Sequence, residues 1–308
     1  INRAADYQGL FGDVYRAMIS NLSLMNVNVS GGQNFTGALL GRGDDYTTIV
    51  NCSSSGQVEG AYSTGGLAGK CNVSNSMSSC VVTGTNRVGG LIGQGSASIC
   101  YSSGQVQGSN SVGGLVGNGL ASHSHSSGSV IGGVKVGGLI GEGGATYSHS
   151  ASNVSGSGYV GGLIGDQTSN SEFVYSIGAV SGSSDYIGGL IGFIAYWCYL
   201  DNSFSTSRVI GGSKVGGLIG GKTYGANVNN CYSKGLVSGS TKGGLIGYLI
   251  EGSHGGGVSN SYWDVSTSGT ATSQGGTGRT TDQMTFVYDP STYAGWNFQS
   301  TWGGDHEY

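Results

Sequence analysis

Charge is scarce in this chain. Its 308 residues include 12 Lys+Arg and 16 Asp+Glu, or 9%, against about 25% in ordinary domains. So few cations form no basic stripe for nucleic acid. Proline occurs once, and glycine does not recur every third residue, which excludes collagen. No apolar run approaches about 20 residues, so no transmembrane helix is expected. Strong helix formers are thin, which argues against a helical protein. His-Glu-x-x-His and Cys-x-x-Cys are both missing, which removes the simplest zinc chemistry. No signal peptide is visible and the chain opens at Ile1 without a methionine, so it reads as a processed or excised piece of a longer protein.

Glycine is abundant, with 64 residues, and hydrophobic residues make up 37%, too many for a solvated disordered chain. The glycines are periodic. Gly-Gly-Leu-Ile-Gly or a close variant begins at Gly65, Gly89, Gly113, Gly137, Gly161, Gly188, Gly216 and Gly243, at intervals of 24, 24, 24, 24, 27, 28 and 27. Looser copies at Gln8–Gly12 and Gly37–Gly41 bring the total to ten. A second motif lies between them, as in Cys100-Tyr-Ser-Ser-Gly-Gln-Val-Gln-Gly108. A 24-residue period of alternating Ile/Val/Leu and small polar residues suits one coil of a solenoid. The expected fold is therefore all-β, a parallel β-solenoid (β-helix) of about ten coils. Stacked coils lie about 4.8 Å apart, and parallel crossovers make a right-handed coil the expectation. The motif glycines are expected to turn corners at positive φ. Leu115, Leu139 and Leu163 should stack in line in the core. Residues 1–257 carry the repeats. Residues 258–308 leave the pattern and gather Trp263, Trp296, Trp302, Phe286, Phe298 and Pro290, which predicts a C-terminal aromatic cap. Gly275–Thr281 lacks the lysine and glycine spacing of a phosphate loop.

Val112-Gly-Gly-Leu-Val-Gly117, Asn230-Cys-Tyr-Ser233, Ser261-Tyr-Trp-Asp264, Gly275-Gly-Thr-Gly278 and Gly295-Trp-Asn-Phe298 together resemble the GLUG-repeat proteins of bacterial surfaces and secretions. That family includes large adhesins and the accessory region of IgA-cleaving peptidases. The resemblance covers nearly the whole chain. It implies a β-solenoid in an extracellular or cell-surface setting, with a glycan or a host surface protein as partner. It implies little about activity, since a solenoid hosts many functions.

The six cysteines are Cys52, Cys71, Cys80, Cys100, Cys198 and Cys231. Cys52, Cys100 and Cys231 share a repeat column with Ser76, Ser124, Ser148 and Ser203, and small residues there point inward. Two coils, roughly 10 Å, separate Cys52 from Cys100, beyond the reach of a disulfide. Cys71 and Cys80 bracket a short segment, and their pairing stays open. Asn-x-Ser/Thr occurs at Asn21, Asn28, Asn34, Asn51, Asn72 and Asn153, as often as an Asn- and Ser-rich chain produces by chance.

One constellation has chemical potential. The columns flanking the inward one bring together Ile99/Tyr101, His123/His125, Tyr147/His149 and Phe173/Tyr175 on consecutive coils, an outward face by strand alternation. Four readings are open. The rings stack as a structural ladder. Tyr101, His123, His125, Tyr147, His149, Phe173 and Tyr175 bind a polysaccharide through stacking and hydrogen bonds. His125 and His149, with Tyr101 or Tyr175, exchange a proton in uronate β-elimination. His123, His125 and His149 hold a metal. A second column, Gln94, Asn118, Glu142, Asp166 and Phe193, places Glu142 and Asp166 one coil apart. Carboxylates at that distance suit a retaining glycosidase, a plain polar corner or a weak calcium site. The leading expectation is a binding scaffold without a cofactor. A lyase or glycosidase is the alternative, and a stalk or filament subunit with end-to-end self-association is a third.

Overall fold

A computed structural model describes residues 6–250, 256–286, 292–293, 295–298 and 301–302. It is a parallel β-solenoid of about ten turns. One coil consists of strand Val116–Ser122, a corner at His123, and the short strands His125–Ser126, Ser129–Ile131 and Val134–Gly137. The register never slips between middle coils: Val116 pairs with Ile140, His125 with His149, Val130 with Val154 and Val136 with Val160. A parallel ladder with every coil in phase puts like residues above like, which is how a 24-residue period becomes columns.

Each coil encloses two cores. One is a stack of Leu and Ile that includes Leu115, Leu139 and Leu163 in line, as the repeat predicts. Leu115 N–H donates to Leu139 O at 2.9 Å, and Leu139 N–H to Leu163 O at 2.9 Å. The other is a valine stack, with Val106, Val130, Val154 and Val112, Val136, Val160 among its members. The Gly-Gly pair runs between the cores. A Cβ on Gly138 would lie 2.1 Å from Gly162 O, so the motif needs glycine for close approach. This corrects the expectation that these glycines turn corners: their φ is not positive. The serine of the second motif serves the same wall. Buried Ser126 donates to Gly138 O at 2.6 Å, and Ser233 to Gly244 O at 2.7 Å, satisfying carbonyls that no strand reaches.

The corners are left-handed but carry side chains. One column of them runs Asn51, Asn75, Ile99, His123, Tyr147, Phe173, Asn202, Asn230, with φ between 47° and 55°. A second runs Arg87, Ser111, Lys135, Tyr159, Tyr186, Lys214, with φ between 50° and 64°. At the first corner each inward serine accepts the N–H of the inward residue on the preceding coil: Cys100 N–H donates to Ser124 Oγ at 3.0 Å, and Ser124 Oγ donates to Ser122 O at 2.7 Å.

All six cysteines are buried free thiols. Cys71 packs in the Leu/Ile core and Cys80 in the valine core, so the open Cys71–Cys80 pairing is not formed. Burial raises both thiols above the ordinary range.

The two ends differ. Strands Tyr262–Asp264 and Thr277–Arg279 extend the sheet beyond the repeats. Trp263 closes the Leu/Ile core. Two single-turn helices follow, Val265–Ser268 capped by Asp264 and Thr281–Thr285 opened by a Thr280/Gln283 capping box. Trp296 and Trp302 join the C-terminal aromatic cluster, where Trp296 packs with Tyr262 and Met284 and stacks on Trp302 at 4.2 Å. They lie 6.2 and 5.8 Å from the Tyr232 ring. Pro290, expected in the cap, lies outside the described residues. At the other end Leu10, in the column of Leu39 and Leu67, is 55% exposed.

Candidate binding face

The columns singled out by spacing are real ladders. Tyr101, His125, His149, Tyr175, Phe204 and Tyr232 pair in register. Their ring centroids are 4.5–4.9 Å apart, and from His125 to Tyr232 the rings are within 6° of parallel. His123, Tyr147 and Phe173 form a second stack with 4.8 Å spacings. Both point outward, but not by simple strand alternation as expected. His125 and His149 lie on a strand. His123, Tyr147 and Phe173 occupy the left-handed corner before it and stand as a ridge. Ile99 at 59% and Tyr147 at 51% are exposed there, whereas Tyr101, His125, His149 and Tyr175 are half-buried.

Stacking decides what the ladders offer. Rings at strand spacing take each other's faces, so a sugar cannot insert between rungs; it meets ring edges, where Tyr oxygens and His nitrogens sit. Tyr101 and Ser127 hydroxyls already share a hydrogen bond of 2.7 Å. Parallel imidazoles also aim their in-plane lone pairs side by side, not at one point. Among the described residues no three His, Cys, Asp or Glu converge as metal ligands. Burial, and then the charge of His125, lowers the His149 pKa below its usual value. A hollow of about 270 Å³ lies along the ladders, walled by Met77, Ile99, Tyr101, His123 and His125.

Glu142 and Asp166 are adjacent in register. Lys135, unnoticed in the sequence, stands between them: its Nζ lies 3.1 Å from Glu142 Oε1 and 3.0 Å from Asp166 Oδ2. Ser111 donates to Glu142 Oε2 at 3.1 Å. Burial raises the Asp166 pKa, opposed by Lys135. The ammonium occupies the place a calcium ion or a glycosidic oxygen would need. Strand Ile140–Thr146 separates this corner from the ridge by five residue rises, roughly 16 Å, so the two candidate sites are not one.

Beyond Asp166 the same corner becomes aromatic. Tyr186 meets Phe193 edge-on at 5.0 Å and Lys214 Nζ at 4.6 Å, filling space that Gly221 leaves.

No family model matches the chain, and no curated protein or solved structure matches it.

Sequence reasoning passed over other residues. Tyr196 and Trp197 project from a loop at 51% and 69% exposure. The change in interval from 24 to 27 and 28 was their signal, because the added residues split the long strand of those coils into pieces such as Ile191–Ile194 and Tyr199–Asp201. Lys222 is fully buried, donates to Thr223 O at 3.1 Å, and has its pKa pushed down to about 8 by desolvation. Nothing in the repeat marks it.

Proposed function

We propose that this protein is an extracellular or cell-surface scaffold of the GLUG-repeat type that binds a glycan along its aromatic ridge without chemical change. The observation that carries the reading is a substitution pattern within one column. Asn51, Asn75, Asn202 and Asn230 occupy the left-handed corner on the flanking coils, and Asn tolerates that backbone. The four coils between use Ile99, His123, Tyr147 and Phe173 at φ of 47–55°. Bulky residues there cost on the order of 1 kcal/mol each. Strain of this kind concentrates at functional positions, and here it yields an exposed row of ring edges.

A panel of neutral and acidic polysaccharides in affinity electrophoresis tests the reading. Retardation by at least one polysaccharide, reversed by returning the ridge to asparagine, supports it. No retardation by any member rejects it.

An enzymatic reading has one observation in its favour: burial shifts His149 towards the neutral form that a general base needs, beside the Tyr175 ring at 4.7 Å. Release of unsaturated uronate, lost in His149→Ala, would replace the binding reading with a lyase.

A further inference from the structure

The ridge has two sides. On the far side from the histidine ladder, strands Ile92–Ser98, Val116–Ser122 and Ile140–Thr146 run unbroken and form the floor of a groove of about 340 Å³. Ser98, Ser122 and Thr146 stack in register beside the ridge, one hydroxyl per coil. Leu120, 47% exposed, gives the floor an apolar spot. The groove reaches a fourth coil at Ser169 and Asn170. There the added residues of the longer coils raise the loops. Tyr199 N–H donates to Asn170 Oδ1 at 3.1 Å, which ties the Tyr196–Trp197 loop to the rung that ends the groove.

The chemistry is selective. No charged side chain lines the groove. The column of Thr146 continues into Glu172 and then Asp201 on the next coils, so an acidic chain would be repelled at the far end. Hydroxyls at strand spacing, an apolar spot and two exposed aromatic side chains match a polymer with hydroxyls along its edges and C–H faces.

We infer that this groove seats a neutral, linear glycan lying along the solenoid axis over four coils, with Tyr196 and Trp197 as the platform at its end. The inference rests on the glycan-binding reading above and names its ligand class and its track. The ridge is the wall of the groove, and the lengthened coils are its stop.

Calorimetry with length series of neutral gluco-, xylo- and manno-oligosaccharides, and of oligogalacturonate, tests it. Affinity for a neutral series should rise with length and level off once the chain spans the four coils. Ser122→Leu fills the floor, and Trp197→Ala removes the platform from an exposed loop with little risk to folding. Each should weaken binding by about tenfold or more, with circular dichroism unchanged. Undiminished binding by both variants, alongside loss in Tyr147→Asn, overturns the groove and leaves the ridge reading intact. Preference for oligogalacturonate overturns the neutral ligand class. Absence of binding in every series overturns the groove, and the ridge reading is then decided by the polysaccharide panel alone.

Discussion

At one corner of the coil the left-handed residues are Arg87, Ser111, Lys135, Tyr159 and Tyr186; at the other they are Ile99, His123, Tyr147 and Phe173. The backbone is the same. At the first corner, long side chains fold back onto the column that follows the glycine motif. Arg87 Nη1 donates to Gln94 Oε1 at 3.0 Å, Lys135 bridges two carboxylates, and Tyr186 lies over Gly221. Internal contacts there offset the backbone strain. At the second corner His123, Tyr147 and Phe173 stack on one another, and Ile99, His123 and Tyr147 stay exposed. Equal strain with unequal internal return separates a structural corner from one available to a ligand.

Changes in the shared scaffold should not distinguish the corners, and they have the largest effects. Gly138→Ala forces a Cβ against Gly162 O at 2.1 Å, between two backbones that cannot yield. We expect a loss above about 4 kcal/mol, seen as insoluble protein or a collapsed β signal in circular dichroism. Leu139→Ala removes a fully buried rung and should cost about 2–5 kcal/mol in denaturant unfolding. A cost below about 0.5 kcal/mol would remove Leu139 from the core.

The next change should harm the structural corner alone. Lys135→Met leaves Glu142 and Asp166 on neighbouring rungs with no cation between them. We expect a loss of about 1–3 kcal/mol at pH 7, less than for a fully buried pair because these groups keep partial exposure. The pH dependence has a definite sign. Burial already raises Asp166 above its unfolded value, and without the lysine it should rise further. A raised carboxyl binds more protons folded than unfolded, so stability falls as pH rises through that window. The deficit of Lys135→Met should therefore shrink from pH 7 towards pH 4. A deficit independent of pH would mean that Lys135 acts through packing.

How much of this was legible follows from what repeats. The coil, the Leu stack and the register of Tyr101, His125, His149 and Tyr175 are periodic, so spacing alone exposed them. The left-handed corner is also periodic, but strand alternation explains its outward side chains equally well in the sequence, because i and i+2 read alike whether or not a corner intervenes. Lys135 was invisible beside Glu142 because its partners come from seven residues ahead and from the following coil. The Tyr196–Trp197 loop is not periodic at all, and only the longer interval marked it. The columns do not show that ring faces are covered; the 4.5–4.9 Å spacing of neighbouring rungs does.

A smaller effect is expected on the strand ladder. Burial and the His125 charge depress the His149 pKa, so the folded state favours the neutral ring. Its contribution is present above the unfolded pKa near 6.5 and is lost as pH falls through the lower folded value. The melting temperature should decline between pH 7 and pH 5, and His149→Phe, which keeps the stack between His125 and Tyr175, should flatten that decline. The difference should stay within about 1 kcal/mol.

The smallest effect on stability belongs to the ridge, and it separates the two corners most clearly. Tyr147→Asn, His123→Asn and Phe173→Asn each install the residue that flanking coils already use at this backbone. Each loses stacking contacts of about 0.2–1 kcal/mol and relieves left-handed strain of similar size. The net change should lie within about 0.5 kcal/mol of zero, in contrast to Lys135→Met. Asparagine can also continue the amide ladder, as Asn51 Nδ2 does in donating to Asn21 Oδ1 at 2.6 Å. If the ridge is the wall of a glycan site, the triple variant should melt with the parent while its retardation in polysaccharide gels disappears. If the aromatic stack is structural, the triple variant should melt well below the parent, and the two corners would differ in chemistry but not in purpose.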